Sequence, residues 1–122
     1  MTQKLKTIIR ALLLELCGDV YYEDAPPEAN FPRIVFDLNC FFSGDRSDYS
    51  LELNVWDRSS DTAAVDVLAD ACIKALDNRC EMTDTVQYRI YRATRNKVED
   101  PDPALRRRRL TFDLYAYERS NT

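Results

Sequence analysis

The 122-residue chain contains no histidine, which removes the commonest general base and the commonest metal ligand together. The two glycines, Gly18 and Gly44, form neither a P-loop nor a dinucleotide fingerprint, and the nucleophile-elbow and zincin motifs are absent as well. The longest aliphatic run, Ala11 to Leu14, is far short of the ~18 apolar residues of a membrane span. No apolar signal region with a cleavage site follows Met1, so a soluble intracellular protein is expected. The four cysteines, at 17, 40, 72 and 80, form no close pair of the zinc-finger or redox type. They read as small apolar fillers, and a two-disulfide secreted framework is the weaker alternative.

Positive charge is also in short supply. Lysine and arginine total 17 against 21 acids, for a net charge of −4, the opposite of a nucleic-acid-binding footprint. Sequence-specific nucleic-acid binding is not expected. What is present is a globular composition, 45% hydrophobic and 31% charged, sized for a single domain over residues 1–122.

Leu5, Ile8, Ile9, Leu12, Leu13 and Leu16 are spaced by three and four, which predicts a helix over residues 3–17 with Gly18 as its left-handed stop. Val20-Tyr21-Tyr22 is a short strand. The stretch from Asp24 to Pro32 carries three prolines and must be a loop. Arg33–Phe42 has apolar residues at every even position, ending in Cys40 and Phe42, and predicts a strand with one core face. After the polar turn Ser43–Asp48, Tyr49, Leu51, Leu53 and Val55 complete a hairpin. Ser59 to Thr62 offers caps for a second helix, with Asp66 in its first turns and an end near Asn78. A strand over 84–95 alternates less cleanly, the acidic loop 96–103 follows, and Leu110 to Tyr117 alternate as the last strand.

The order α-β-β-β-α-β-β predicts an α+β domain: a mainly antiparallel sheet of four to five strands with two helices on one face. The other face stays open. Its odd-numbered positions include Val35, Phe41, Tyr91, Tyr115 and Tyr117, an aromatic surface suited to another chain.

No constellation on the chain points to catalysis, and no cofactor is expected. The pairs Asp100/Asp102 and Asp61/Asp66 lack the ligand pattern of a calcium loop, so no metal site is expected. Arg106 to Arg109, directly after the acidic loop, admits three readings: a phosphate contact, a solvated strand start, or an intersubunit contact with the Glu99–Asp102 loop of a neighbouring copy. Period-two parity puts Arg107 and Arg109 on the open face and Arg106 and Arg108 beyond the core edge. Trp56 is either a cover over the open face or an interface anchor. The candidate interface residues are therefore Trp56, Glu99, Asp100, Asp102, Arg107, Arg109, Tyr115 and Tyr117.

Three segments, in order, carry a resemblance. They are Tyr21 to Pro27 followed by Phe31-Pro32-Arg33-Ile34-Val35-Phe36; Leu51 to Asp57 followed by Leu68-Ala69-Asp70-Ala71; and the closing strand. Together they resemble the small tail-completion or tail-terminator proteins of tailed bacteriophages and prophages. The resemblance covers nearly the whole chain, and the acidic loop running into four arginines falls outside its pattern. It implies a virion assembly protein with no enzymatic activity. Its partners would be itself in a hexameric ring, the tail tube protein, and the head connector or head completion protein. It would stop tube polymerisation at the head-proximal end, residing in the virion tail and, during assembly, in the host cytoplasm. The alternative is a small acidic ligand- or protein-binding module with no virion role.

Overall fold

A computed structural model describes residues 1–119. Helix α1 spans Thr2–Leu14, followed by β1 (Val20–Tyr22), β2 (Arg33–Phe42) and β3 (Arg46–Arg58). Helix α2 spans Ala63–Leu76, followed by β4 (Cys80–Met82), β5 (Val86–Val98) and β6 (Leu105–Glu118). The six strands form one sheet in the order β1-β2-β3-β6-β5-β4. Only the β1–β2 pair is parallel. The architecture is the expected α+β class with both helices on one face, and its strand count of six exceeds the expected four to five. The additional strand, β4, has only three residues and lies between the end of α2 and the turn into β5.

The helices lie where their apolar stripes dictate. Leu5, Ile9 and Leu13 of α1 are fully buried, one turn apart, so they form a single ridge over β1 and β2. Helix α2 buries Val65, Leu68, Ala69, Cys72 and Leu76 over β3, β5 and β6; Ala69 and Cys72 are small enough to bring its backbone close to the sheet. Opposite them stand Ile34, Phe36, Leu51, Leu53, Val55, Tyr88, Ile90, Leu110, Phe112 and Leu114, all with 1% exposure or less. At roughly 1.5–3 kcal/mol per buried side chain, this layer dominates the stabilising side of the fold.

Helix α1 ends at Leu14, earlier than the spacing predicts, and Gly18 does not adopt the left-handed conformation. The αR residue Glu15 closes the helix through backbone bonds to Leu13, so no glycine is required. Asn78 does adopt the left-handed conformation, with φ of 59°, and turns the chain from α2 into β4.

Two bulges interrupt the alternation. Cys40 pairs with Tyr49 but Phe42 pairs with Asp48, so β2 carries one extra residue at Phe41 and Phe42 moves to the open face. Phe42 is 59% exposed and does not belong to the core run that the even positions predict. In β5, Tyr91 pairs with Asp113 and Thr94 with Thr111, and Arg92, at φ 58°, takes up the extra residue. The switch explains the blurred alternation over 84–95: Val86, Tyr88 and Ile90 face the core, whereas beyond the bulge Arg95 does.

Candidate partner-binding face

The registers place the open-face residues in rows across the sheet. One row reads Arg33, Trp56, Arg107, Val98 on β2, β3, β6 and β5. Here the indole of Trp56 is flanked by two guanidinium groups, Arg107 at 4.7 Å and Arg33 at 5.9 Å from the ring centroid. Arg33 also lies 4.3 Å from the Phe31 ring, which Arg58 approaches from 5.4 Å. Cation–π attraction and the apolar stems of the arginines bind this end of the face together. A groove of about 240 Å³ opens beside it, lined by Arg33, Trp56, Arg107 and Asn54 on the sheet and by Glu23 and Asp24 on the β1–β2 loop.

The opposite end of the face is aromatic. Tyr115 stacks edge-on with Tyr91 at 5.8 Å and with Tyr117 at 6.1 Å, and Arg46 sits 4.2 Å from the Tyr115 ring. Phe42 shares this end through its pairing with Asp48, which pairs in turn with Tyr115. Phe42, Met82 and Tyr117 are all exposed there, more apolar surface than isolated solvated residues provide. Between the two ends lies a polar middle, where Arg109 Nε is 3.2 Å from Glu52 Oε1 and Arg92 is 3.4 Å from Asp113.

The four arginines have four different settings. They lie inside β6, which begins at Leu105, because β3 pairs with them all the way to Arg58. Arg106 donates to the carbonyls of Ser59 and Ser60, and Arg107 donates through Nε to Asn54 Oδ1 at 2.8 Å. Arg108 has the core-side parity the sequence predicts but does not lie beyond the core edge. It is 8% exposed and donates through Nε to Asp66 Oδ1 at 2.8 Å, beneath the first turn of α2. Arg95 reaches the same carboxylate at 2.6 Å and also pairs with Asp70. The Arg108 hydrogen bond, with support from Arg95, holds the Asp66 carboxyl below its ordinary value.

Arg107 has no such partner. Burial, followed by the repulsion of Arg109, lowers its pKa, whereas hydrogen bonding to Asp70 raises that of Arg95. Among the described residues no acid lies within ion-pair distance of Arg107 or Arg33, and Arg33 Nε is buried without a hydrogen-bond acceptor.

The acidic loop follows Val98 at the same end of the sheet. Asp102 is engaged within its own chain: Oδ1 accepts from the Ala104 amide at 2.9 Å and Oδ2 from Arg58 at 3.2 Å. The Ala104 amide bond is the main cause of its lowered pKa. Asp100 Oδ1 accepts from the Asp102 amide at 2.9 Å, and Asp100 is half-buried while Glu99 is exposed; both line a pocket with Arg106, Arg107 and Arg108.

Of the eight candidates, then, Trp56 and Arg107 touch, Tyr115 and Tyr117 touch at the far end, Arg109 meets Glu52, and Glu99, Asp100 and Asp102 share the loop. Arg33 and Phe31 were not among them. The hairpin pairs Arg33 with Trp56, a match that counting back from the β2–β3 turn misses by one residue because of the bulge at Phe41.

The cysteines divide in two. Cys17 and Cys72 are buried, as fillers should be, and burial pushes the Cys72 thiol up to about 12. Cys40 and Cys80 are exposed at strand ends and fill nothing. All four are free thiols. Among the described residues, no three His, Cys, Asp or Glu side chains gather as metal ligands, and no helix is long and apolar enough to cross a membrane.

Fold and face together define a two-layer α+β protein whose sheet leaves a charged and aromatic face uncovered. No family model and no curated protein matches the sequence. A chain in the solved structure of the virion of a native gene transfer agent particle has the same fold, with a TM-score of 0.54 and 20% identity. The likeness covers 88% of this chain and 85% of that one.

Proposed function

We propose that this protein is a tail-terminator-like structural component of a phage or phage-like particle. It forms a ring, a hexamer by resemblance, at the head-proximal end of the tail tube, stops tube polymerisation and offers a surface to the head connector or head completion protein. The observation that carries the reading is the fold shared, over nearly the full length of both chains, with a virion chain. The ordered motifs from Tyr21 to the closing strand narrow it to the tail terminator. An uncovered face with an aromatic end and an arginine-rich end suits an assembly protein, which must contact several neighbours at once.

The role is structural, without chemistry. Its location is the virion tail, reached through assembly in the host cytoplasm. Inactivating the gene in the genome that encodes it tests the reading by electron microscopy of the particles. Filled heads without joined tails, together with tubes of uncontrolled length, are expected. Joined particles with tails of normal length would overturn it.

A further inference from the structure

We propose that the groove of Arg33, Trp56 and Arg107 receives the Glu99–Asp100 segment of a second copy of this chain, and that this contact sets the register of the ring. The inference rests on the virion-ring reading and names the contact that builds it. The first support is charge. Arg33 and Arg107 are cations without an acid in ion-pair range among the described residues. Both lie beside the Trp56 ring, and this contact restricts their side chains and reduces the entropy lost on binding a carboxylate. The exposed Glu99 and the half-buried Asp100 are the complementary anions, whereas Asp102 is already occupied by Arg58. Glu23 and Asp24 line the same groove and repel an acidic segment from the β1–β2 loop side, so it meets Arg33 and Arg107 from the side of β3 and β6.

The second support is position. Arg33 and Val98 occupy the two ends of one row across four strands, ~14 Å apart at the usual strand spacing. The acidic loop leaves from Val98, next to Arg107 on the neighbouring strand and three strands from Arg33. The groove and the loop are different patches, and made head to tail between copies their contact is heterologous. Such contacts propagate head to tail and close into a ring when the rotation allows.

Charge exchange tests it, with solution mass at low salt and high protein concentration as the readout. The pair Arg33→Glu and Arg107→Glu, and separately the pair Glu99→Lys and Asp100→Lys, are each expected to drive the oligomer to monomer. The chain carrying all four changes is expected to regain the oligomer. Circular dichroism confirms that each variant folds, and mixing the two paired variants supplies a second measurement. In such a mixture both alternating contacts join opposite charges, the glutamate-bearing groove with the lysine-bearing loop and the native arginine groove with the native acidic loop, so mixing is expected to restore the oligomer, and a mixture that stays monomeric overturns the contact. Unchanged mass in either paired variant, failure of the folded four-fold variant to reassemble, or a wild-type chain that stays monomeric overturns the contact. None of these results touches the virion reading, which gene inactivation tests separately.

Discussion

Arg108 and Asp66 join the sheet to α2 across an apolar layer, with Arg108 Nε 2.8 Å from Asp66 Oδ1. The arginine is buried and its partner partly exposed, with side-chain exposures of 10% and 38%. The pair lies at the rim of the core, and Asp66 in the first turn also complements the helix dipole. Asp66→Asn leaves a buried guanidinium without its counter-charge. Solvent screening at Asp66 holds the expected loss to about 1–2 kcal/mol, read as a lower urea midpoint. Arg108→Met, which fills similar volume without a charge, should cost less than about 1 kcal/mol.

The same pair gives the fold a pH dependence of defined sign. The folded-state pKa of Asp66 lies below its ordinary 3.8, chiefly through the Arg108 hydrogen bond. Its contribution is therefore fully present above 3.8 and is lost as pH falls through the folded-state value. Glu81 acts in the same direction, lowered first by the Tyr88 hydroxyl at 2.6 Å and then by Arg79. Thermal melts of the wild type should fall steeply below the ordinary carboxylate range. Asp66→Asn should show a shallower acid limb, and an unchanged slope would remove Asp66 from the account.

Thiol reactivity should divide the cysteines into two pairs. Cys40 and Cys80 are exposed, whereas Cys17 and Cys72 are buried, and the Cys72 thiol, pushed to about 12, supplies almost no thiolate at neutral pH. Titration of the native protein with a chromogenic disulfide should release two fast equivalents. The remaining two should appear only in denaturant.

Trp56 is the only tryptophan, so its emission reports the proposed contact directly. Seating an acidic segment over the groove removes water from the indole, and a blue shift should accompany assembly. Trp56→Ala should cost about 1 kcal/mol of fold stability, through lost stacking with Arg107. Its larger effect should be loss of the oligomer by light scattering.

The sequence announces most of the layers. Period-two alternation in Leu51 to Val55 and Leu110 to Ala116, and the α1 stripe, need only local sterics and burial, and the structure has them. The features that escape a linear reading depend on distant partners. The bulges at Phe41 and Arg92 exist because β3 and β6 set the register, and neither contains a glycine to mark it. The β4 strand is too short to alternate. A linear reading places Arg108 beyond the core edge because nothing local indicates that α2 places Asp66 above it. At the candidate face, parity puts Trp56 and Arg107 on the same open side, but their adjacency comes from the β3–β6 register, and the pairing that adds Arg33 depends on the bulged β2–β3 hairpin.

Counting this chain in purified particles is the most direct test of the central claim. Quantitative mass spectrometry of gradient-purified virions from the source genome, calibrated with labelled peptides, gives copies per particle. The account predicts a small fixed number, one ring per particle, that stays with tails when heads are removed. Absence of the chain from intact, infectious particles, or a copy number that scales with the whole tail tube or the capsid, would contradict it.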